Sequence, residues 1–150
     1  MADKPTFHCT VAVPNRELFN GEVYYASVPS VEGQYGVLPG HELILSLNQA
    51  GGLCSLHLNE DGSEKVEILL YNGAAEFIDN KLTILGHLGK LTSRVKLDEM
   101  TERVAAQEKL VEDTKPPEDA TEGEKITHSV EVERLDWYKL QVEWAKKNGK

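Results

Sequence analysis

The chain has 150 residues, with 16 basic and 25 acidic side chains and a formal net charge of −9. This acidic balance argues against a protein that binds nucleic acid or an anionic membrane, because both present negatively charged phosphates. No apolar run approaches the roughly 18–20 residues that a membrane span requires. Residues 1–5 lack the features of a signal peptide, and two cysteines are too few for a disulfide framework. We therefore expect a globular chain in a reducing, cytoplasmic setting.

Residues 1–92 show the alternation of β-strands. A period of two is typical of strands that bury one face. Short strands at this spacing favour a sandwich over a parallel sheet, and we expect an antiparallel β-sandwich. In each run, the apolar side chains that occupy every second position are expected on the buried face. The runs are Phe7–Val13, Leu43–Leu47 (with Leu43, Leu45 and Leu47 in phase), Cys54–Leu58, Val66–Leu70 and Leu82–Leu88.

Pairs of turn-forming residues separate these runs. Such pairs between two apolar runs are typical of hairpins, since Gly, Asn and Asp tolerate the backbone angles of tight turns. We predict hairpins at Asp61-Gly62 and at Asp79-Asn80, and a further turn at Asn72-Gly73.

Residues 93–150 change to a period of three to four, which predicts two helices. The first carries its apolar stripe at Leu97, Met100, Val104 and Val111, with Asp98 as its expected N-cap. An acidic segment with two prolines, Glu112–Glu124, is expected to form an exposed loop. It ends in a capping-box sequence that begins at Thr121. The fold class is thus α+β, with a sandwich followed by a helical hairpin.

The second helix is predicted to carry an apolar side. Three of its residues recur every seven positions, which is the spacing of a seam that faces another helix. Two helices of this length bury little surface against each other, so the hairpin should dock on the sandwich or on a partner. The apolar side consists of Ile126, Val130, Trp137, Leu140 and Trp144, of which Val130, Trp137 and Trp144 form the seam.

No constellation of residues indicates catalysis or a metal site. Cys54 and His57 are spaced like zinc ligands, but residues three apart on a strand point to opposite faces, and adjacent His8 and Cys9 fail for the same reason. Neighbouring carboxylates in the helices are typical of solvated faces. No phosphate-binding loop or dinucleotide fingerprint is present. We therefore expect an interaction or regulatory protein, neither an enzyme nor a metalloprotein.

Three segments resemble one family. Glu32–His41, with the sequence EGQYGVLPGH, resembles the EGxxGVLPGH signature of the epsilon subunit of F-type ATP synthases. Val13–Val23 is similar to that family's first strand pair, with its F-x-G-E-V. Tyr71–Phe77 resembles its GGFLEV strand. The order and spacing of the three matches agree with the family, as does the succession of sandwich and hairpin.

Glu32–His41 is expected to form a rigid contact loop. Glycines permit backbone angles that other residues resist, and proline fixes one dihedral angle. The resemblance implies that its polar side chains face the ring of membrane-embedded c subunits. The structural positions are Gly33, Gly36, Pro39 and Gly40, and the contact positions are Glu32, Gln34 and His41.

The resemblance also implies a function for the whole chain. The sandwich would join the gamma subunit of the central stalk to the c ring, as a peripheral protein on the cytoplasmic face of the cell membrane. The hairpin would either fold down or extend into the catalytic head of alpha and beta subunits, where its second helix blocks ATP hydrolysis. The alternative is a stand-alone sandwich adaptor whose hairpin binds another protein.

Residues of the second helix would carry this inhibition. Aromatic side chains are the kind that anchor interfaces, and terminal lysines would meet acidic side chains of the catalytic subunits. Both groups lie in the last third of the chain. They are Val130, Trp137, Trp144, Lys146, Lys147 and Lys150.

Some bacterial members of this family bind ATP through a motif of the form [I/L]-D-x-x-R-A at the start of the first helix. Leu97 and Asp98 match it, but Thr101 occupies the arginine position and Arg103 comes two residues late. At about 100° per residue, Arg103 lies roughly 140° around the helix from Asp98, so both cannot grip one phosphate. Asp98 and Arg103 are the only candidates for ATP sensing, and we expect no bound cofactor.

Overall fold

The computed structural model describes residues 5–149. Contacts divide the chain into two compact units between Arg94 and Val95, whereas the sequence pattern placed the division between residues 92 and 93. The first unit is built from strands and the second from two helices. The predicted α+β class, with a sandwich followed by a helical hairpin, is confirmed.

Between residues 5 and 149, the chain forms eight strands and two helices. A single 3-10 turn, Thr92–Arg94, lies between the last strand and the first helix. The elements are β1 (Phe7–Val13), β2 (Arg16–Val23), β3 (Tyr25–Ser30), β4 (Gly33–Val37), β5 (Ile44–Leu47), β6 (Gly52–His57), β7 (Lys65–Ile78), β8 (Lys81–Leu91), α1 (Leu97–Asp113) and α2 (Glu122–Lys147).

The strands pair in the order β2-β1-β8-β7-β6-β3-β4, and β5 pairs with β7. Strand β8 follows one edge of β7 throughout, while the other edge pairs first with β6 and then with β5. Strand β7 therefore belongs to both layers of the sandwich. Within the described residues, the first strand, β1, and the last strand, β8, form the one parallel pair.

The core lies between the layers. Phe7 and Phe77 are fully buried and meet edge to face, with ring centroids 5.4 Å apart. Alternation predicted the fully buried side chains of β1 and β8 correctly, but Val13 and Leu88, predicted on the same face, are only half-buried. The largest fully buried side chains of this unit are Phe7, Val11, Val23, Val28, Leu56, Ile68, Leu70, Phe77, Leu82 and Ile84.

The predicted burial of the leucine run is wrong. Leu43, Leu45 and Leu47 are 62, 71 and 63% exposed, while Ile44 packs against the core. Ser46, on the same side as Ile44, shares a 2.6 Å hydrogen bond with the Tyr35 hydroxyl. Both sets of residues alternate, so the period alone does not say which set faces inward. Edge strand β5 turns its leucines to the outside.

Asn72-Gly73 is a bend inside β7 and not the turn that its residue types predict. Asn72 has φ +56° and Gly73 has φ +106°, which are left-handed conformations. Buried Asn48 holds the bend: its backbone N–H donates to Gly73 O at 2.9 Å, and its side-chain amide donates to Asn72 O and Leu85 O. The predicted hairpin at Asp79-Asn80 is confirmed as a two-residue connection between β7 and β8.

The helix boundaries differ in part from the prediction. Lys96 is the N-cap of α1 and makes no side-chain cap bond, so the expectation for Asp98 is wrong; Asp98 lies in the first turn, where its charge suits the helix dipole. The capping box of Thr121 and Glu124 is confirmed at the start of α2. Because that box starts α2 at residue 122, the loop spans only residues 114–121.

The predicted seam of α2 is wrong at its first position. Val130 is 47% exposed and Ile126 is 60% exposed, whereas Trp137 is buried and Trp144 is half-buried. The buried row of α2 is Trp137, Gln141 and Ala145, with a spacing of four. On α1 the predicted stripe is present, with Met100 buried and Gln107 as a further buried member that apolarity did not indicate.

We predict that Gly73→Ala lowers the free energy of unfolding by more than about 3 kcal/mol, since a Cβ would overlap Leu85 O in addition to straining the backbone. Urea denaturation of the full chain measures this loss. Gly33→Ala is the matched control: its φ is +127°, but no atom lies within 4 Å of the added Cβ. Equal losses in the two variants would show that backbone strain alone makes Gly73 necessary.

Candidate functional site

The contact loop begins with a tight turn between β3 and β4. The Ser30 hydroxyl accepts from the Glu32 N–H at 3.1 Å and donates to Gly33 O at 2.8 Å. These bonds leave the Glu32 side chain exposed at the tip of the turn. Gly33 has the positive φ expected of it, so a side chain there would be strained.

The other end of the loop lies beyond β4. Gly40 has φ +77°, and its N–H donates to the Asn80 side chain at 2.9 Å. The His41 ring meets Phe77 at 6.4 Å between centroids. Because β4 has five residues at about 3.3 Å each, roughly 15 Å of strand separates Glu32 from His41. The structure does not bring these two predicted contact residues together.

Two residues within β4 have structural duties of their own. The Gln34 amide donates to Ser27 Oγ and to Leu53 O, both at 2.8 Å, so it braces β3 and β6. Gly36 does not have a positive φ, contrary to the expected reason for a glycine there. A Cβ on Gly36 would collide with the ring of Tyr25, so close packing explains the residue. Pro39 lines a shallow cleft with Tyr24 and His57.

An apolar groove lies on the face of the sandwich that carries β5. Leu45 and Leu47 form one wall, and Val31 and Leu85 are 60 and 54% exposed beside them. The cavity has a volume of about 640 Å³, and the carboxylates Glu32 and Glu76 are also among its lining residues. Scattered exposed leucines are ordinary, but a contiguous apolar groove marks an interaction surface. Sequence reasoning missed it because it assigned the leucines of β5 to the core.

The two thiols are chemically inert. Cys9 and Cys54 are free and fully buried. Burial raises the pKa of Cys9 to about 12 and raises that of Cys54 as well, so both stay protonated at neutral pH. The His57 ring lies tilted against the Tyr25 ring, with centroids 4.8 Å apart. His8 shares a 2.9 Å hydrogen bond with Glu22, and this bond lowers the pKa of Glu22. Within residues 5–149, no three metal-ligating side chains converge.

A second groove, with a volume of about 970 Å³, lies between α1 and α2. Asp98 and Thr101 line it, but Thr101 stands where the ATP motif has its arginine, and Arg103 donates to Glu99 at 3.1 Å. The lining carries three carboxylates against two ammonium groups, so its formal charge gives a triphosphate no net attraction. Among its lining residues there is no arginine. Its charged residues are Asp98, Glu102, Glu143, Lys139 and Lys146.

The structure describes two of the three terminal lysines that the sequence analysis singled out. Lys146 and Lys147 are exposed in the last turn of α2, where positive charge suits the helix C-terminus. Asn148 caps that turn through Trp144 O. Lys150 lies outside the described residues. Within residues 5–149, no helix combines the length and apolar character that a membrane span requires.

Comparison with known proteins assigns the family. The protein-family model of the ATP synthase delta/epsilon chain β-sandwich domain matches residues 6–87, which is more than half of the chain. The ATP synthase epsilon chain of Rhodopseudomonas palustris is 28% identical over 134 residues, covering 89% of this chain and 90% of its own. That of Helicobacter pylori is 33% identical over 104 residues, covering 69% of this chain and 80% of its own.

Solved structures agree on the fold. A chain of the mitochondrial ATP synthase OSCP/F1/c-ring structure from Euglena gracilis matches with a TM-score of 0.57 at 16% identity, covering 88% of this chain and 79% of its own. A chain from the central stalk/c-ring structure of Tetrahymena thermophila mitochondrial ATP synthase matches with 0.53 at 12% identity, covering 94 and 99%. The chain thus belongs to the delta/epsilon family of ATP synthase chains, and the predicted epsilon resemblance is confirmed. The epsilon chain is a non-catalytic subunit.

We predict that millimolar ATP leaves the melting temperature of the full chain unchanged, because the groove between α1 and α2 lacks the motif arginine and Arg103 is bonded to Glu99. A ligand at 100 times its dissociation constant would add about 2.7 kcal/mol to the free energy of unfolding, which thermal denaturation detects easily. Parallel scans with GTP control for non-specific anion effects. A rise in melting temperature with ATP that GTP does not produce would contradict the prediction.

Proposed function

We propose that this chain is a rotor subunit of the central stalk, joining the gamma subunit to the c ring and restraining ATP hydrolysis through its C-terminal helices. Its place would be the cytoplasmic face of the cell membrane, as a peripheral part of the ATP synthase. Family membership supports the complex, and the apolar groove of the sandwich is the observation that carries the role.

The apolar groove is the surface proposed for the gamma subunit. Its walls stand on paired strands, since β5 is hydrogen-bonded to β7 along its length, so the leucines are held in place before a partner arrives. Burying side chains as exposed as Leu45 and Leu47 stabilises a complex by about 25 cal/mol per Å² of apolar area, less the cost of association. A permanent stalk contact is the kind of interface that such a preformed surface serves.

The c ring is proposed to meet the Glu32 end of the contact loop. Glu32 is exposed at a hydrogen-bonded turn and can face the polar loops of another subunit. Gln34 is committed to the sheet, and His41 lies at the far end of β4. The proposed contact is therefore narrower than the three residues expected from the sequence.

The hairpin is proposed as the brake on hydrolysis. It forms a compact unit of its own, and α2 is capped at both ends within that unit. Such a unit can change its position without unfolding the sandwich, as a shift between two populated states. The exposed lysines Lys146 and Lys147 are available to acidic side chains of the catalytic head.

Cross-linking tests the stalk contacts. In the assembled complex, a photoactivatable reagent on Leu45→Cys should link to gamma, and on Glu32→Cys to a c subunit, while His41→Cys should not reach the c ring. The unmodified chain is the control, because its two thiols are buried and do not take the reagent. Links from Glu32→Cys to the head subunits alone would sink the proposal, and no link to gamma would favour the adaptor.

Truncation tests the brake. A chain ending before Ile126 should still assemble, because the sandwich is a separate compact unit, and ATP hydrolysis by the membrane-bound complex should rise. Neutralising Lys146, Lys147 and Lys150 to Gln should release part of this restraint, more at low salt, where charges are least screened.

The matched control for the lysine variant neutralises three other lysines of the second unit, Lys109, Lys115 and Lys125, with the same change in net charge. This control should leave hydrolysis unchanged. If truncation itself does not alter hydrolysis at low proton-motive force, α2 is not the brake.

A further inference from the structure

Among the described residues, three polar contacts connect α1 and its C-cap to α2. The guanidinium of Arg103 lies over the ring of Tyr138, 5.9 Å from its centroid. The Gln107 side-chain amide donates to Glu131 O at 2.9 Å and to the Glu131 carboxylate. The Thr114 hydroxyl lies 3.2 Å from His128 Nδ1. We call these three pairs the clasp.

The clasp occupies one side of each helix. At about 100° per residue, positions 103, 107 and 114 fall within roughly 40° of one another on α1. Positions 128, 131 and 138 fall within roughly 80° on α2. Their order along the two helices is antiparallel, so the pairs follow one another along a single line of contact. A shift of either helix by one residue would turn all three pairs out of line at once.

Gln107 is the central member of the clasp. It is only 3% exposed and stands in the α1 stripe between Val104 and Val111, where an apolar residue would be ordinary. A buried amide is unfavourable unless it is hydrogen-bonded, and a bond to a carboxylate is among the stronger kinds. Glu131 is itself largely covered, with 18% of its side chain exposed and Arg134 at 3.9 Å. Opening the hairpin thus breaks a charge-assisted bond, and closing it in any other register leaves a buried amide unpaired.

We infer that the clasp, centred on Gln107 and Glu131, sets how tightly this hairpin closes and in which register, with no ligand required. Arg103, which stands two positions beyond the motif arginine, contributes to the closed hairpin by its contact with Tyr138. The inference rests on the proposed function and deepens it, since it names the side chains that would hold the hairpin closed and so keep α2 from inhibiting hydrolysis. Closure of this hairpin is then a property of the chain itself.

Hydrogen exchange of the full chain in isolation tests the clasp. Gln107→Glu places a second carboxylate against Glu131, and exchange of the amides in residues 131–141 should rise at least about tenfold, equivalent to about 1.4 kcal/mol. Ala106→Glu is the matched control, because it adds the same charge at the neighbouring exposed position of α1. It should leave exchange unchanged.

A reciprocal exchange of residues separates the clasp from a general loss of helix packing. The double variant Gln107→Glu/Glu131→Gln restores an amide opposite a carboxylate but not the bond to the main-chain O of residue 131, so its exchange should lie between that of the unmodified chain and that of Gln107→Glu. No increase in Gln107→Glu, or no recovery in the double variant, would overturn the inference.

Hydrolysis by the assembled complex then distinguishes the clasp from the brake. If Gln107→Glu opens the hairpin, more of it should extend into the catalytic head, so ATP hydrolysis should fall. Hydrolysis should return towards normal in the double variant. If hydrogen exchange increases in Gln107→Glu but ATP hydrolysis does not change, the proposed restraint of hydrolysis is overturned, while the inference about the clasp stands.

Discussion

The architecture of the first unit depends on the bend in β7. One strand serves both layers of the sandwich, and it passes between them through two consecutive residues with positive φ. Asn48 supplies the hydrogen bonds that the bent backbone requires, and the absence of a Cβ at Gly73 admits the Leu85 carbonyl. Strand β5, and with it the apolar groove, is held where it is because the second half of β7 lies beyond this bend.

Alternation in the sequence predicted most of the core, since strands such as β1 bury one face against two layers of neighbours. It failed at β5, where apolar residues occupy both phases and only the tertiary structure decides between Ile44 and the leucines. The sequence predicted which residues form the contact loop, but not that Glu32 and His41 lie far apart. The two residues are close in the sequence, and the extended strand β4 lies between them. Gln107 escaped prediction since a buried amide gives no periodic apolar signal, and its partner Glu131 is 24 residues away.

The two units present different kinds of surface. The groove of the sandwich is apolar and stands on paired strands, which suits a contact that is made once and kept. The hairpin joins its helices through side-chain pairs that include a buried polar bond, and polar bonds of this kind specify one arrangement more than they add to stability. Permanent attachment and adjustable restraint would thus be assigned to separate parts of one chain, and a change in either need not disturb the other.

The parallel pairing of β1 with β8 also orders events during synthesis. One edge of β1 pairs with β2 within a few residues, but its other edge waits for residues 81–85, and the sheet is incomplete until they leave the ribosome. Loop closure over such a distance is slow compared with the formation of local helices. The whole sandwich nevertheless precedes the hairpin in the chain. A nascent subunit can therefore finish the surface by which it would be held before the segment that would inhibit the enzyme has left the ribosome.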